Sequence, residues 1–239
     1  MLIKNQNMNQ NLQNLQTKIE YTFKDEKKLE QALTHRSYLN ENRGQNLQSN
    51  ETYEFLGDSI LEFWISDKLF HKFPEFNEGD LTNLRALIVC TENLALTSIK
   101  IGLGDFILLS KGEERHGGRT NHSILADTFE STLGSIYLDG GINPAFKFLE
   151  KTLNPSISEL SQKKVYKDPK SLFQEIAQSK RGITPKYQTI GESGPDHLKI
   201  FEVAVFLNDE LIATGSGNSK QKAEEDASIK ATKIITNLV

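Results

Sequence analysis

The sequence predicts an all-α domain followed by a small α+β domain of order α-β-β-β-α. Three observations predict it. From Leu29 to Leu153 apolar residues recur near the 3.6-residue helical period. Beyond Pro169 the period changes, and runs such as Tyr187 to Glu192 and Lys199 to Leu207 read as strands. Between the two regimes, residues 154–167 are polar and carry Pro155, Ser156, Ser158, Ser161, Lys163 and Lys164, the composition of a linker. The expected boundaries are 15–153 for the helical domain, 154–167 for the linker and 168–239 for the α+β domain.

The chain opens on a low-complexity stretch, with five Asn and four Gln in residues 5–16. Leu12, Leu15 and Ile19 can extend a first helix out of it. Further helices are expected at Leu29 to Leu33, Phe55 to Leu69, Leu81 to Leu96, Ile124 to Leu138 and Ala145 to Leu153. Turn signals separate them at Asn42-Arg43-Gly44, Phe73-Pro74, Gly102 to Gly104, Gly117-Gly118 and Gly140-Gly141. In the second domain Pro169 opens a helix to Ser179, because a first helical turn has no use for the N–H that proline lacks. Asn208-Asp209-Glu210 makes a tight turn between the strand ending at Leu207 and one from Leu211 to Ser216. Ser219 caps a last helix reaching Leu238.

A hydrophobic content of 37% with 25% charged residues suits a soluble globular chain. No apolar run approaches membrane-spanning length, so no membrane partner is expected. Met1-Leu2-Ile3-Lys4 lacks the apolar stretch of a signal peptide. The single cysteine, Cys90, permits no intrachain disulfide; it reads as a small core residue and fits a reducing cytoplasm. The net charge is −4, and residues 167–239 balance ten basic against ten acidic side chains. Affinity for nucleic acid would therefore rest on local clusters rather than bulk charge.

The chemistry concentrates in Asn50-Glu51-Thr52-Tyr53-Glu54-Phe55-Leu56-Gly57-Asp58. Glu51, Glu54 and Asp58 fall at i, i+3 and i+7, one helix face, among apolar Phe55, Leu56, Ile60 and Leu61. A second pair, Asp127 and Glu130, shares a face of another apolar helix. Two readings stand. The carboxylates are solvated stripes, or two helices build an all-oxygen site for a hard cation such as Mg²⁺. Zinc is disfavoured, since His and Cys are not interleaved at its spacings. Lys111-Gly112-Glu113-Glu114-Arg115-His116-Gly117-Gly118-Arg119 is a charged, glycine-rich loop without the Gly-Lys-Ser/Thr ending of a Walker loop.

Asn-Glu-x-x-Glu-Phe-Leu-Gly-Asp resembles the signature of the bacterial ribonuclease III family, and the resemblance runs from about Ile19 to Leu238. Thr52 and Tyr53 depart from the family's usual Arg or Lys and Leu. The resemblance implies an endonuclease domain followed by a double-stranded-RNA-binding domain. It implies a metal site of Glu54, Asp58, Asp127 and Glu130, taking Mg²⁺ with Mn²⁺ as substitute, and no organic cofactor. Glu51 and Glu78 match positions that help place RNA and water near the scissile bond, so the expected catalytic set is Asp58, Glu130, Glu51 and Glu78. His35 matches a recurrent segment and is expected to be a hydrogen-bonded, partly buried structural residue. Phe55 matches a position whose ring enters a partner's pocket, which implies a homodimer; alone, it reads as an ordinary core aromatic. Part of the Lys111–Arg119 loop is expected near the RNA backbone.

In the second domain Gly194-Pro195-Asp196-His197 resembles a minor-groove loop, and Ser219-Lys220-Gln221-Lys222-Ala223-Glu224 resembles the basic start of a phosphate-facing helix. The expected RNA contacts are Gln174, Glu175, Pro195, His197, Lys220 and Lys222, with Gln221 standing where a basic residue is usual. Taken as a whole, the resemblance implies Mg²⁺-dependent cleavage of double-stranded RNA to 5′-phosphate, 3′-hydroxyl products with short 3′ overhangs. It also implies maturation of ribosomal precursor RNA and decay of structured messages. The rivals are a non-catalytic double-stranded-RNA-binding regulator and an RNA-binding scaffold of ribosome assembly.

Overall fold

The computed structural model describes residues 12–43, 47–163, 168–195 and 198–237. The chain divides into two compact units, Met1–Lys164 and Val165–Val239. The first unit holds α1 (residues 12–19), α2 (Glu26–Ala32), α3 (Arg36–Glu41), α4 (Glu51–Lys72) and α5 (Glu78–Val89), then α6 (Thr91–Ile101), α7 (Lys111–Arg115), α8 (His122–Gly140) and α9 (Ile142–Lys163). Among the described residues no helix is long and apolar enough to cross a membrane.

α4 and α8 form the centre of this unit. Leu61, Ile65 and Leu69 of α4 and Phe129, Leu133 and Ile136 of α8 are fully buried. The helices approach so closely that a Cβ on Gly57 would lie 1.8 Å from the Glu130 carbonyl oxygen, and one on Gly134 2.2 Å from that of Tyr53. Only glycine admits that backbone contact. α8 is enclosed on most sides, and its buried Thr128, Ser131 and Ser135 hydroxyls bond to backbone carbonyls, whereas the buried Thr132 Oγ1 has no hydrogen-bond partner among the described residues. Thr128 Oγ1 donates to Ile124 O (2.6 Å) and Ser131 Oγ to Ala32 O of α2 (2.7 Å), which removes the cost of burying them.

Four expectations change here. The pattern from Leu81 to Leu96 is not one helix. Cys90 adopts an extended conformation (φ −64°, ψ 151°) and separates α5 from α6. Cys90 is also exposed rather than a core residue, because this break turns it out of both helices. The polar stretch read as the start of the linker is instead the end of α9, which continues through Pro155 to Lys163. Leu149, Leu153 and Ile157, at four-residue spacing, are fully buried, and Ser156 beside them is buried as well. Burial of that stripe outweighs the roughly 3 kcal/mol that an interior proline costs a helix. Finally, the charged loop is ordered into α7 and a 3-10 turn, Gly118–Thr120. Arg119 holds it by bonds to the carbonyls of Gly104, Asp105 and Ile107 and to Glu114.

The second unit holds α10 (Pro169–Arg181), β1 (Lys186–Ser193), β2 (Ile200–Leu207), β3 (Glu210–Gly217) and α11 (Lys220–Asn237). The strands form an antiparallel sheet in the order β1-β2-β3. Asp168 caps α10 by accepting from the N–H groups of Lys170 and Ser171, with proline in the first turn. Asn208, at φ 52°, turns β2 into β3. Phe173 and Ala177 of α10, Val205 and Leu207 of β2, and Ala227, Ala231 and Ile235 of α11 form one buried cluster. α11 lies almost on the backbone of β3: a Cβ on Gly215 would meet Ala227 N at 2.2 Å.

Candidate metal centre and nucleic-acid interface

The glycine contact between α4 and α8 sets the position of the acidic residues. Glu54 stands one turn before Gly57, and Asp127 and Glu130 lie along the facing stretch of α8. α8 is capped by Asn121, whose side chain accepts from Ile124 N–H at 3.2 Å. Oxygen atoms of Glu54, Asp127 and Glu130 all lie within 4.8 Å of one another. Burial acts on all three, and neighbouring carboxylates repel Glu54 and Glu130. Burial, followed by the charges of Asp58, Asp127, Glu54 and Glu62, pushes Glu130 up to about 8. Burial also raises Glu54, helped by Asp127, Glu51 and Asp58. Asp127 is raised by burial against the opposing pull of His35 and Arg36.

The structure thus brings together three of the four expected metal ligands. Asp58 lies one turn further along α4, exposed and outside the triad, though its charge acts on Glu130 and Glu54. Glu51 lies on the rim, where Ser49 Oγ donates to it at 2.9 Å and Arg36 Nη1 approaches to 3.8 Å. Glu54 and Asp127 of the triad line a cleft of about 870 Å³, together with His35, Arg36, Glu51 and Glu113, while Glu130 lies behind them. Glu78 opens α5 on the surface and accepts from Thr82 Oγ1 at 3.3 Å; it does not line the cleft. Arg85 ties α5 to α4 through Glu62 (3.4 Å) and Ser66 (3.0 Å).

Among the cleft's charged residues, Arg36 carries no role in the sequence reading, and Glu113 enters it only as part of the charged loop expected near RNA. Glu113 is brought in by α7, whose N-terminus is pinned when Ser110 N–H donates to Ser37 Oγ at 3.1 Å. No local pattern marks such a placement. His35 is the hydrogen-bonded, partly buried residue expected, with Nδ1 2.8 Å from Ser37 Oγ, and burial holds its imidazole below the ordinary range. Phe55 is no core aromatic: it is 77% exposed on α4, on a surface that also bears Phe63 and Phe70.

In the second unit Gln174 and Glu175 are exposed on α10, and Pro195 is exposed after Gly194, whose φ of 89° turns the loop. His197 lies outside the described residues. Lys220 and Lys222 occupy the first turn of α11, capped by Ser219 Oγ accepting from Lys222 N–H at 3.2 Å. The helix dipole and two ammonium groups there favour an anion.

The pattern of the ribonuclease-III-like family matches residues 25–157, and that of the double-stranded RNA binding motif matches residues 169–235. The chain belongs to the ribonuclease III family. The ribonuclease 3 of Listeria monocytogenes serotype 4a (strain HCC23) is 41% identical over 223 residues, 93% of this chain and 97% of that protein. That of Geobacillus kaustophilus (strain HTA426) is 46% identical over 215 residues, 90% of this chain and 87% of the relative. The solved nuclease domain of ribonuclease III from Campylobacter jejuni is 38% identical, covers 60% of this chain and 94% of that one, and superposes with a TM-score of 0.55. As a ribonuclease III the protein is an endoribonuclease directed at double-stranded RNA, not a binding regulator.

Proposed function

We propose that this ribonuclease III cleaves duplex RNA with Mg²⁺, Mn²⁺ being able to substitute, held by Glu54, Asp58, Asp127 and Glu130. The observation that carries this reading is the carboxylate triad within 4.8 Å, with Glu130 pushed up to about 8. Hard oxygen donors crowded together suit a hard divalent ion, and no His or Cys belongs to the group. When bound, such an ion stabilises negative charge gathering on the phosphoryl and leaving oxygens. Glu130 gives up its carboxyl proton as the site fills. Asp58, solvent-exposed beside the triad, completes the ligand set from its place on α4. Glu51, on the rim with Arg36, and Glu78, on α5, position RNA and water at the scissile phosphate. The products are 5′-phosphate and 3′-hydroxyl ends with short 3′ overhangs. The substrates are ribosomal precursor RNA and structured messages in the cytoplasm. A labelled RNA duplex incubated with Mg²⁺, with Mn²⁺ and with EDTA tests the reading. Cleavage in EDTA, or products bearing 3′-phosphates, contradicts it.

Cutting both strands calls for two sites related by symmetry, which a C₂ homodimer supplies. The exposure of Phe55 and its neighbours on α4 supports this assembly. A further structure of the Campylobacter jejuni nuclease domain, 39% identical with a TM-score of 0.53, concerns flexibility in that protein's region of dimer formation. Phe55→Glu is expected to weaken dimerisation by about 2 kcal/mol or more, giving monomers at micromolar concentration and impaired double-strand cleavage. Sedimentation checks this; a wild-type monomer at that concentration overturns the assembly.

Binding to duplex RNA rests on α10, the Gly194-Pro195 loop with His197, and Lys220 and Lys222. Contacts to phosphate release counterions and carry no sequence information. Lys220→Ala/Lys222→Ala is expected to weaken binding to all duplexes alike. The slope of log affinity against log salt should flatten by about one unit per lost contact. An unchanged slope removes these lysines from the interface.

A further inference from the structure

The lysines at the start of α11 carry their own counter-charges. Lys220 Nζ lies 3.6 Å from Glu192 Oε1, and Glu192 Oε2 is 2.8 Å from Lys199 Nζ. Lys199 and Lys220 both sit over the Phe201 ring, at 5.7 and 5.8 Å, so Glu192 is shared between two ammonium groups gathered at one aromatic face. Lys222 Nζ donates to Glu225 Oε2 at 2.7 Å, while Gln221 Nε2 donates to the other carboxylate oxygen at 3.1 Å. The lysine side chains nevertheless remain 60% and 64% exposed, open to a ligand from solvent.

Ion pairs whose ammonium groups stand mostly in solvent, as these do, are weak and exchange readily. A phosphate reaching either ammonium group replaces a carboxylate that stays nearby and repels it. With ten basic and ten acidic side chains in residues 167–239, no bulk surplus of positive charge offsets that repulsion. Gln221 adds to the effect, since it steadies Glu225 instead of contributing a cation.

We propose that Glu192 and Glu225 are internal competitors for RNA phosphate, holding Lys220 and Lys222 in the free protein and keeping duplex affinity below what the lysines alone would confer. This rests on the reading that Lys220 and Lys222 contact phosphate. Binding then exchanges two carboxylate partners for two phosphates, and the carboxylates set how tightly a duplex is held.

The test uses the full chain in EDTA, a short labelled RNA duplex and a series of KCl concentrations. Glu192→Gln/Glu225→Gln is expected to tighten binding about fivefold at low salt. The gain should shrink as salt rises and disappear when Lys220→Ala/Lys222→Ala is added. Unchanged or weaker binding by the glutamine variant overturns the inference, because the carboxylates are then inert or position the lysines productively. An equal gain without the lysines also overturns it, leaving only a general charge effect. The lysine variant by itself separates the two levels. If it binds like wild type, the phosphate assignment fails. If it weakens binding while the glutamine variant fails to tighten it, only the competitor role fails.

Discussion

Glu130→Gln is expected to lower duplex cleavage by about 10³-fold at sub-saturating Mg²⁺. The substitution keeps the shape of the side chain and removes a charge from the most strongly perturbed member of the triad. Duplex binding lies largely in the other compact unit and should change less than twofold, by about the measuring error of such an assay. Single-turnover cleavage across a Mg²⁺ series, beside a binding isotherm in EDTA, separates the two. Wild-type cleavage by the variant at low Mg²⁺ removes Glu130 from the metal site.

The same variant tests the electrostatics without RNA. In the metal-free protein, folding raises the Glu130 pKa from 4.5 to about 8. Between those values the folded state binds more protons than the unfolded chain, so stability falls as pH rises and levels off above about pH 8. Allowing for solvent in the open cleft, the fall is about 2 kcal/mol. Glu54 and Asp127 are raised in the same direction. Thermal unfolding in EDTA should therefore show wild type weakening from mildly acidic to mildly basic pH and Glu130→Gln weakening much less. Affinity for the divalent ion should rise with pH over the same window, since binding expels the proton. A flat wild-type profile contradicts this account.

Gly57→Ala is expected to destabilise the first unit by about 3 kcal/mol, lowering Tm by roughly 10 °C. The added Cβ would fall 1.8 Å from the Glu130 carbonyl oxygen, a backbone atom that moves only if α8 moves. In an ordinary exposed helix the same change would gain about 1 kcal/mol from propensity, so the clash must exceed that to be seen. Because Glu54 and Glu130 are carried by the two helices being forced apart, cleavage should fall further than the loss of folded protein explains. Gly112→Ala is the control. Its Cβ would meet nothing closer than Ser110 Oγ at 3.7 Å, and Tm should hold or rise slightly. Equal Tm values for Gly57→Ala and wild type would mean that α4 and α8 pack with slack at the site.

Local chemistry alone determined much of this protein. The change from a helical to an alternating period divides the chain, and Pro169, Asn208 and Ser219 stand at the ends of elements they help define. The spacings of Glu51, Glu54 and Asp58, and of Asp127 and Glu130, fix which carboxylates share a helix face, because helix geometry depends on near neighbours only. Tertiary structure decided the rest. Glu54 and Glu130 are 76 positions apart in sequence, and nothing within either helix says that they meet. The meeting depends on the two glycines that let the backbones touch, and it selects Asp127 while leaving Asp58 outside the triad. The same long-range packing carries α9 through Pro155, turns Cys90 outward and brings Glu113 to the cleft. It also gives Lys220 a carboxylate from the far end of a strand. Spacing encodes which groups can act together on one element, whereas burial and crossing geometry decide which elements come together and what charge each group then carries.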